Sequence, residues 1–480
     1  VFATHLQALG QYPGYEPSLE HRYVLSYFTI SAVPGIRTPL SSVVRIPPGT
    51  VHTFDRHGNQ VDEWTYWTPT YTPRSGSTEA FADRITQTIA DVLDDHLQEF
   101  DSPGLLISGG LDSRLLLGAT PKQMHAYHLN DWENKEALLA RRIAEVADTE
   151  FTFLRRDESY HDTLLQDYGH LNEFASHLNH PQIGGFIERL REETDVLVNG
   201  LYADTFLEAG TLPTTDLGLP IVRTLLRNTR AAAPIYGPYE RKLDSIDEFV
   251  QSFDSPPEFV EGGETFESVL REEIESENGR VASFGVEYDS LDTLVAAEGY
   301  YPFTRRFTFL TYTSMNHMWP TVTPFLDNRI IDLHLQIPRD QKLRGNLIGR
   351  ALKNVDRELA RIPSANSGLP ALWPHAIHYS PAKFLGQGYY ILKSRFDHDG
   401  DIPDYYGVGS WQNRPELIRE TSFVRVRLEQ QESIVRNCPF LDWTRIQDVL
   451  DRHMNGENHA TELYRLLSFL YMPAVQDAYQ

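Results

Sequence analysis

The sequence predicts an α/β fold built on a doubly wound parallel sheet, and three observations predict it. An apolar run, Leu105-Leu106-Ile107, passes directly into Ser108-Gly109-Gly110-Leu111-Asp112-Ser113 and then into Leu115-Leu116-Leu117, which reads as a buried strand, a tight turn and a helix. Strand and helix patterns then alternate: a strand over 124–129, a helix over about 134–147, a strand over 150–154 and an apolar strand over 195–198 ending in Asn199-Gly200. Such alternation implies parallel strands whose ligands gather beyond their carboxyl ends.

Taken in order, residues 1–72 read as a β-rich unit with one helix. An amphipathic helix is expected over 17–27, an extended stretch over 36–44, a turn at Pro47-Pro48-Gly49, a strand at Val51-His52-Thr53-Phe54 and a turn over 56–59. Residues 69–76 are rich in Pro, Thr and Ser and read as a linker, which divides the chain into 1–72 and 73–480. From Thr78 the apolar set Phe81, Ile85, Ile89, Val92, Leu93 and Leu97 recurs at helical spacing, so a helix leads into the loop strand. Residues 210–300 show helical patterns broken by acidic loops such as Glu261-Gly262-Gly263-Glu264, expected to pack over the sheet. The stretch from Gly368 to the end is helix and loop with many aromatics. In it His375, His378 and Tyr379 lie close in sequence without a further residue to complete a metal site.

At 480 residues the chain can bury a large core, and its net charge of −24 is carried with seven lysines against 36 arginines. An acidic, lysine-poor surface suits a protein kept soluble at high salt, or an ordinary acidic cytosolic enzyme. No Lys/Arg stripe is present, so nucleic acid is not an expected partner. Cys438 is the sole cysteine, which excludes an intrachain disulfide. No apolar run approaches membrane-spanning length and the first ten residues do not resemble a signal peptide, so the cytoplasm is the expected location. The chain opens at Val1 in mid-pattern, which points to an alternative start or a missing front end.

The strand-to-helix junction favours an anion. Unpaired N–H groups at a helix start, hydroxyls from Ser108 and Ser113, and the absence of a Cβ at Gly109 and Gly110 make a cradle for phosphate or pyrophosphate. Asp112 would repel phosphates unless a divalent cation lay between, which argues for Mg²⁺ carried with the nucleotide. Neither Gly-x-x-x-x-Gly-Lys-Ser/Thr nor Gly-x-Gly-x-x-Gly is present, and the plain alternative is a tight turn whose serines and aspartate cap a helix.

Ser-Gly-Gly-Leu-Asp-Ser resembles the pyrophosphate loop of the ATP pyrophosphatases. Three further stretches make the chain similar to the asparagine synthetase family. Asn199-Gly200-Leu201-Tyr202-Ala203-Asp204 resembles its "SGEGADE" segment; Ser314-Met315, Pro324-Phe325-Leu326-Asp327-Asn328-Arg329 and Ile337-Pro338 with Lys342-Leu343-Arg344-Gly345 resemble "SMAxSxExRxPFLDxR…LPxxxKxRxG"; and Ile46-Pro47-Pro48-Gly49 with Tyr66-Trp67 resembles the end of its class II glutamine amidotransferase domain. The resemblance implies an adenine nucleotide alpha hydrolase-like fold. Ser108, Gly109, Gly110, Asp112, Ser113, Asn199 and Gly200 would bind ATP, and Asp112 and Asp204 would hold Mg²⁺. "PFLD" is expected to be a packing element, with Phe325 and Leu326 buried and Asp327 and Arg329 pairing or capping.

Departures from the family pattern bear on activity. Leu201 stands in place of the catalytic glutamate and Thr205 in place of a second acid; Pro320 and Val322 replace a glutamate and an arginine. Gly349 replaces the lysine that neutralises departing pyrophosphate, leaving Arg350 or Lys342 as substitutes, or as plain surface basic residues. Val1 replaces the cysteine that hydrolyses glutamine, so the chain as given is not expected to do so. The resemblance implies adenylation of a small-molecule carboxylate other than aspartate, then amide formation with an amine or ammonia donor. A homodimer or a separate glutaminase are the protein partners it leaves open. The alternative is a catalytically inactive nucleotide-binding regulatory or partner protein, and a third reading is asparagine synthesis from free ammonia.

Overall fold

The computed structural model describes residues 1–208, 214–216, 236–240, 245–251, 253, 255–262, 264–291, 293–294, 308–342, 345–365, 368–373 and 414–480. Gly263, Leu343, Arg344, His375, His378, Tyr379 and most of 209–244 lie outside them. The first half contains α1 (Leu6–Gly10), α2 (His21–Ile30), β1 (Thr50–Phe54), β2 (Gln60–Thr65), α3 (Thr78–Leu97), β3 (Pro103–Leu106), α4 (Asp112–Ala119), β4 (His125–Asn130), α5 (Lys135–Val146), β5 (Phe151–Arg155), α6 (Tyr160–Tyr168), α7 (Ile187–Glu193), β6 (Val196–Val198) and α8 (Ala203–Leu207).

Five strands form one all-parallel sheet in the order Thr321–Val322, β6, β3, β4, β5. From β3 the chain winds outward through β4 and β5, then returns to lay β6 on the other side of β3. The strand order therefore reverses between β3 and β6, the place where open α/β sheets gather ligands at the strands' carboxyl ends. Helices flank the sheet, an arrangement compatible with double winding, and the expected strands and helices of 78–198 are present within a residue or two of their expected bounds. Local chemistry explains them: Ser77 Oγ accepts from the Ala80 amide at the start of α3, and Asn134 Oδ1 from the Glu136 and Ala137 amides at the start of α5. All six apolar residues expected on one face of α3 are buried.

Residues 1–72 are less β-rich than expected. Only the β1–β2 hairpin is sheet, its turn organised by Asp55 Oδ1 accepting from the His57 and Asn59 amides. The helix starts at His21 instead of residue 17, because Leu19 bridges Leu40 and the Glu20 amide donates to the Pro39 carbonyl. That bridge and its turns take up the 36–44 stretch, which forms no strand. Three apolar clusters result among the described residues. Tyr127, Leu154, Ile187, Leu190 and Leu197 belong to the smallest, and α2 joins the two larger. One of these packs on the sheet and includes Leu25 and Ile30 of α2. The other joins Tyr23, Val24, Tyr27 and Phe28 of α2 to the C-terminal helices over 414–479, and contains Cys438, whose thiol burial pushes up to about 12. Among the described residues no helix is long and apolar enough to cross a membrane.

Arg114 ties the sheet to a distant segment. It is fully buried and donates from Nη1 to the Leu359 and Ile362 carbonyls and from Nη2 to those of Gly109 and Pro363. Burial lowers its pKa to about 10, still well above neutrality. Arg114→Met would take the guanidinium from the Ile362 and Pro363 carbonyls, while those of Gly109 and Leu359 keep the Ala365 and Ile362 amides, and is expected to lower the unfolding free energy by about 3 kcal/mol. A urea melt with an unchanged midpoint would show that the segment holds without the guanidinium.

Candidate functional site

The predicted anion loop lies between β3 and α4, at the sheet's carboxyl edge. Its amides are engaged within the protein: Ser108 N–H donates to Ser113 Oγ (3.1 Å), Gly110 N–H to Ser108 Oγ (3.2 Å) and Gly109 N–H to Glu136 Oε1 (3.4 Å). The hydroxyls of Ser108 and Ser113 therefore close the loop on itself, and a carboxylate rests where an anion would. Neither glycine needs a left-handed backbone. Their use is close approach: a Cβ on Gly109 would stand 2.8 Å from the Ala365 Cβ and 3.1 Å from the Glu136 Cγ, and the Ala365 amide donates to the Gly109 carbonyl. Beneath the loop, His128 Nδ1 lies 2.7 Å from the Ile107 carbonyl. Burial pushes this ring down to about 4, so it is neutral and donates from Nδ1, leaving an enclosed Nε2 without a partner.

The facing rim follows β6. A Cβ on Gly200 would lie 3.2 Å from the Asp112 Cβ and 3.3 Å from the Ser113 amide nitrogen, so the two sequence-distant segments meet backbone to side chain across the strand reversal. The side chain of Asn199, expected to bind ATP, is bonded within the protein. It is buried, its Nδ2 donates to Thr323 Oγ1 (3.0 Å), and its Oδ1 accepts from the Leu201 amide, locking β6 to the Thr321–Val322 strand. Leu201 packs against the apolar core, where no proton can be handled.

Asp204 sits in the first turn of α8 with its Oδ1 on the Thr205 amide. Asp112 and Asp204 are joined by an acid that sequence reasoning missed, Glu208. Burial raises the Asp112 carboxyl well above the usual range, and Glu208 and Asp204 raise it further; Asp204, the most exposed of the three, is raised by the loss of water on its inner side. Burial and then Asp204 push Glu208 up to about 7. One oxygen of Asp112, Oδ1, is enclosed and has no hydrogen-bond partner. An orphaned carboxylate oxygen beside two further acids suits a divalent cation, although among the described residues no group of three or more His, Cys, Asp or Glu is arranged to hold one. The available signal for Glu208 was its spacing of four from Asp204, which stacks the two on one helical face. Its Oε1 also lies 3.2 Å from where a Gly345 Cβ would be, at the start of the helix Asn346–Val355.

The remaining predicted residues are engaged elsewhere. Asp327 caps its helix through the Arg329 amide and pairs with Arg329 (2.9 Å) and His96 (3.0 Å), with Phe325 buried and Leu326 half-buried, as a packing element should be. Arg350 pairs with Glu79 at 2.9 Å, and Lys342 is buried against His334 and over the Tyr71 ring. Pro320 and Val322 shape the edge strand, where the Pro320 and Val322 carbonyls accept from the Leu197 and Asn199 amides. Set against known protein families and against curated proteins, the chain has no match.

Glu208 supplies a pH signature. Its folded pKa lies above the ordinary 4.5, so its contribution to stability is complete below about pH 4.5 and is lost as pH rises through 7. Glu208→Gln is therefore expected to stabilise the protein at pH 8, by on the order of 1–3 kcal/mol, and to have no effect near pH 4. Thermal melts at the two pH values check this; equal effects at both would place the carboxyl in open water.

Proposed function

We propose that the chain binds MgATP at the carboxyl ends of β3 and β6, activates a small-molecule carboxylate by adenylation and joins it to an amine or ammonia as an amide, on an adenine nucleotide alpha hydrolase-like, ATP pyrophosphatase-type fold. The observation that carries this reading is the meeting of Gly200 with Asp112 at the strand reversal, which gathers Asp112, Asp204 and Glu208 at one rim beside the Ser108–Ser113 loop. The enclosed, unpartnered Asp112 oxygen there is one that a cation or a proton would satisfy, and the reading assigns it to the cation.

In this mechanism Asp112 and Asp204 hold Mg²⁺, with Glu208 adding negative potential. When bound, the ion screens the phosphate charges and stabilises the charge that builds as pyrophosphate leaves. The loop's part is to exchange its internal bonds for the nucleotide: the Gly109 amide leaves Glu136 and the Gly110 amide leaves Ser108 Oγ, and both turn to phosphate oxygens. Gly200 lets the two segments approach, since any side chain there would press on Asp112. Leu201 supplies no base, so the attacking amine enters unprotonated or gives its proton to another group.

A second reading, a nucleotide-binding regulatory or partner protein, draws on the same Leu201 and on the engagement of Arg350 and Lys342 elsewhere. Two measurements separate them. Calorimetry is expected to show ATP binding that requires Mg²⁺ and is lost in Asp112→Ala; binding unaffected by the substitution overturns both readings. Screening amino acids and small carboxylic acids is expected to find one that triggers pyrophosphate release, whereas ATP binding with silence across the screen favours the partner role.

A further inference from the structure

We propose that Arg414, His177 and His180 form a subsite for a carboxylate group. Naming its occupant as the acid group of the substrate rests on the adenylation reading; the subsite itself does not.

Arg414 is a partly enclosed guanidinium without a countercharge among the described residues. Its Nη1 lies 3.2 Å from His177 Nε2 and its guanidinium carbon 6.0 Å from the centre of the Tyr464 ring. Among the described residues no carboxylate stands within ion-pair distance of it, in a chain of net charge −24. Arg156, buried nearby, shows the contrast: it is matched by Asp131 at 3.0 Å. Because His177 Nε2 accepts from Arg414, the ring proton sits on Nδ1, which is buried beside Asn179. His180 packs against His177 with ring centres 4.8 Å apart, its Nδ1 2.8 Å from Thr311 Oγ1. Burial first, then neighbouring charge, keeps both rings neutral: His177 is lowered by His180, Arg414 and Arg465, and His180 falls to about 3 beside Arg414. A guanidinium fork beside two neutral rings, with no acid in ion-pair reach among the described residues, is the complement of one planar anion.

The backbone supports the same assignment. Phe174 and Ser176, immediately before His177, hold φ of 58° and 57°, a region that bulky residues avoid. The strain is pinned by the Ser176 amide on the Ser31 carbonyl (2.7 Å), the Tyr27 hydroxyl on the Ser176 carbonyl (3.0 Å) and the Ala175 amide on Asn172 Oδ1 (2.9 Å). Strain held in place this way presents the adjoining His177 in one fixed position. The position is toward the sheet's carboxyl edge: Tyr464, under Arg414, also feels Asp131 and Arg156, which directly follow β4 and β5.

The test needs no nucleotide, so failure of the adenylation reading leaves its outcome intact. In ¹⁵N-histidine-labelled full chain at pH 7.5, acetate is expected to shift the ring nitrogens of His177 and His180 saturably, and Arg414→Gln to abolish the shifts while leaving the melting temperature near the starting value. Arg414→Lys, which keeps the charge and loses the fork, is expected to weaken acetate about tenfold and serves if the glutamine variant does not fold. Unmoved ring signals, equal shifts in the variants, or a response to inorganic phosphate without one to acetate would each overturn the subsite.

Discussion

Crowding of negative charge at one rim of an apolar sheet is the constraint on which the rest depends. Asp112 starts α4 and Asp204 lies in the first turn of α8, yet the register of β3 against β6, with Leu105 opposite Val198, forces the segments beyond them together. Asp204 raises the pKa of both Asp112 and Glu208, and Glu208 that of Asp112, so these carboxyls cost folding free energy unless a cation or protons intervene. Under the proposed reading, Mg²⁺ is what would relieve this arrangement and its one unpartnered oxygen.

The loop itself is held from below and from the side. Arg114 fixes the Gly109 carbonyl from beneath, the Ala365 amide binds the same carbonyl, and neutral His128 braces Ile107. Only the outward amides have exchangeable partners, and Glu136 on one of them is itself an anion. A phosphate oxygen would thus replace like with like, so occupancy demands little movement of the backbone.

Much of the sheet was legible because its signals are local. The six apolar positions of α3, the uninterrupted apolar runs of β3 and β6 and the caps Ser77 and Asn134 each operate within a few residues. Asp112, Asp204 and Gly200 could be expected at a common edge once parallel winding was assumed. The partner of the Asn199 side chain, Thr323, lies more than a hundred residues on, next to the edge strand, so chain order does not reveal it. Longer separations still divide Arg350 from Glu79 and Arg414 from His177. Helix 21–30 was misplaced at its start because a bridge between Leu19 and Leu40, not propensity, decides where it begins.

That helix has a further consequence. Leu25 and Ile30 belong to the core around the sheet, while Val24, Tyr27 and Phe28 belong to the core of the C-terminal helices, so a ten-residue segment is common to both. Melting either core withdraws its support from the other. Heat should therefore disassemble the two together, in one cooperative event, and excising either half would leave the survivor with a raw apolar face.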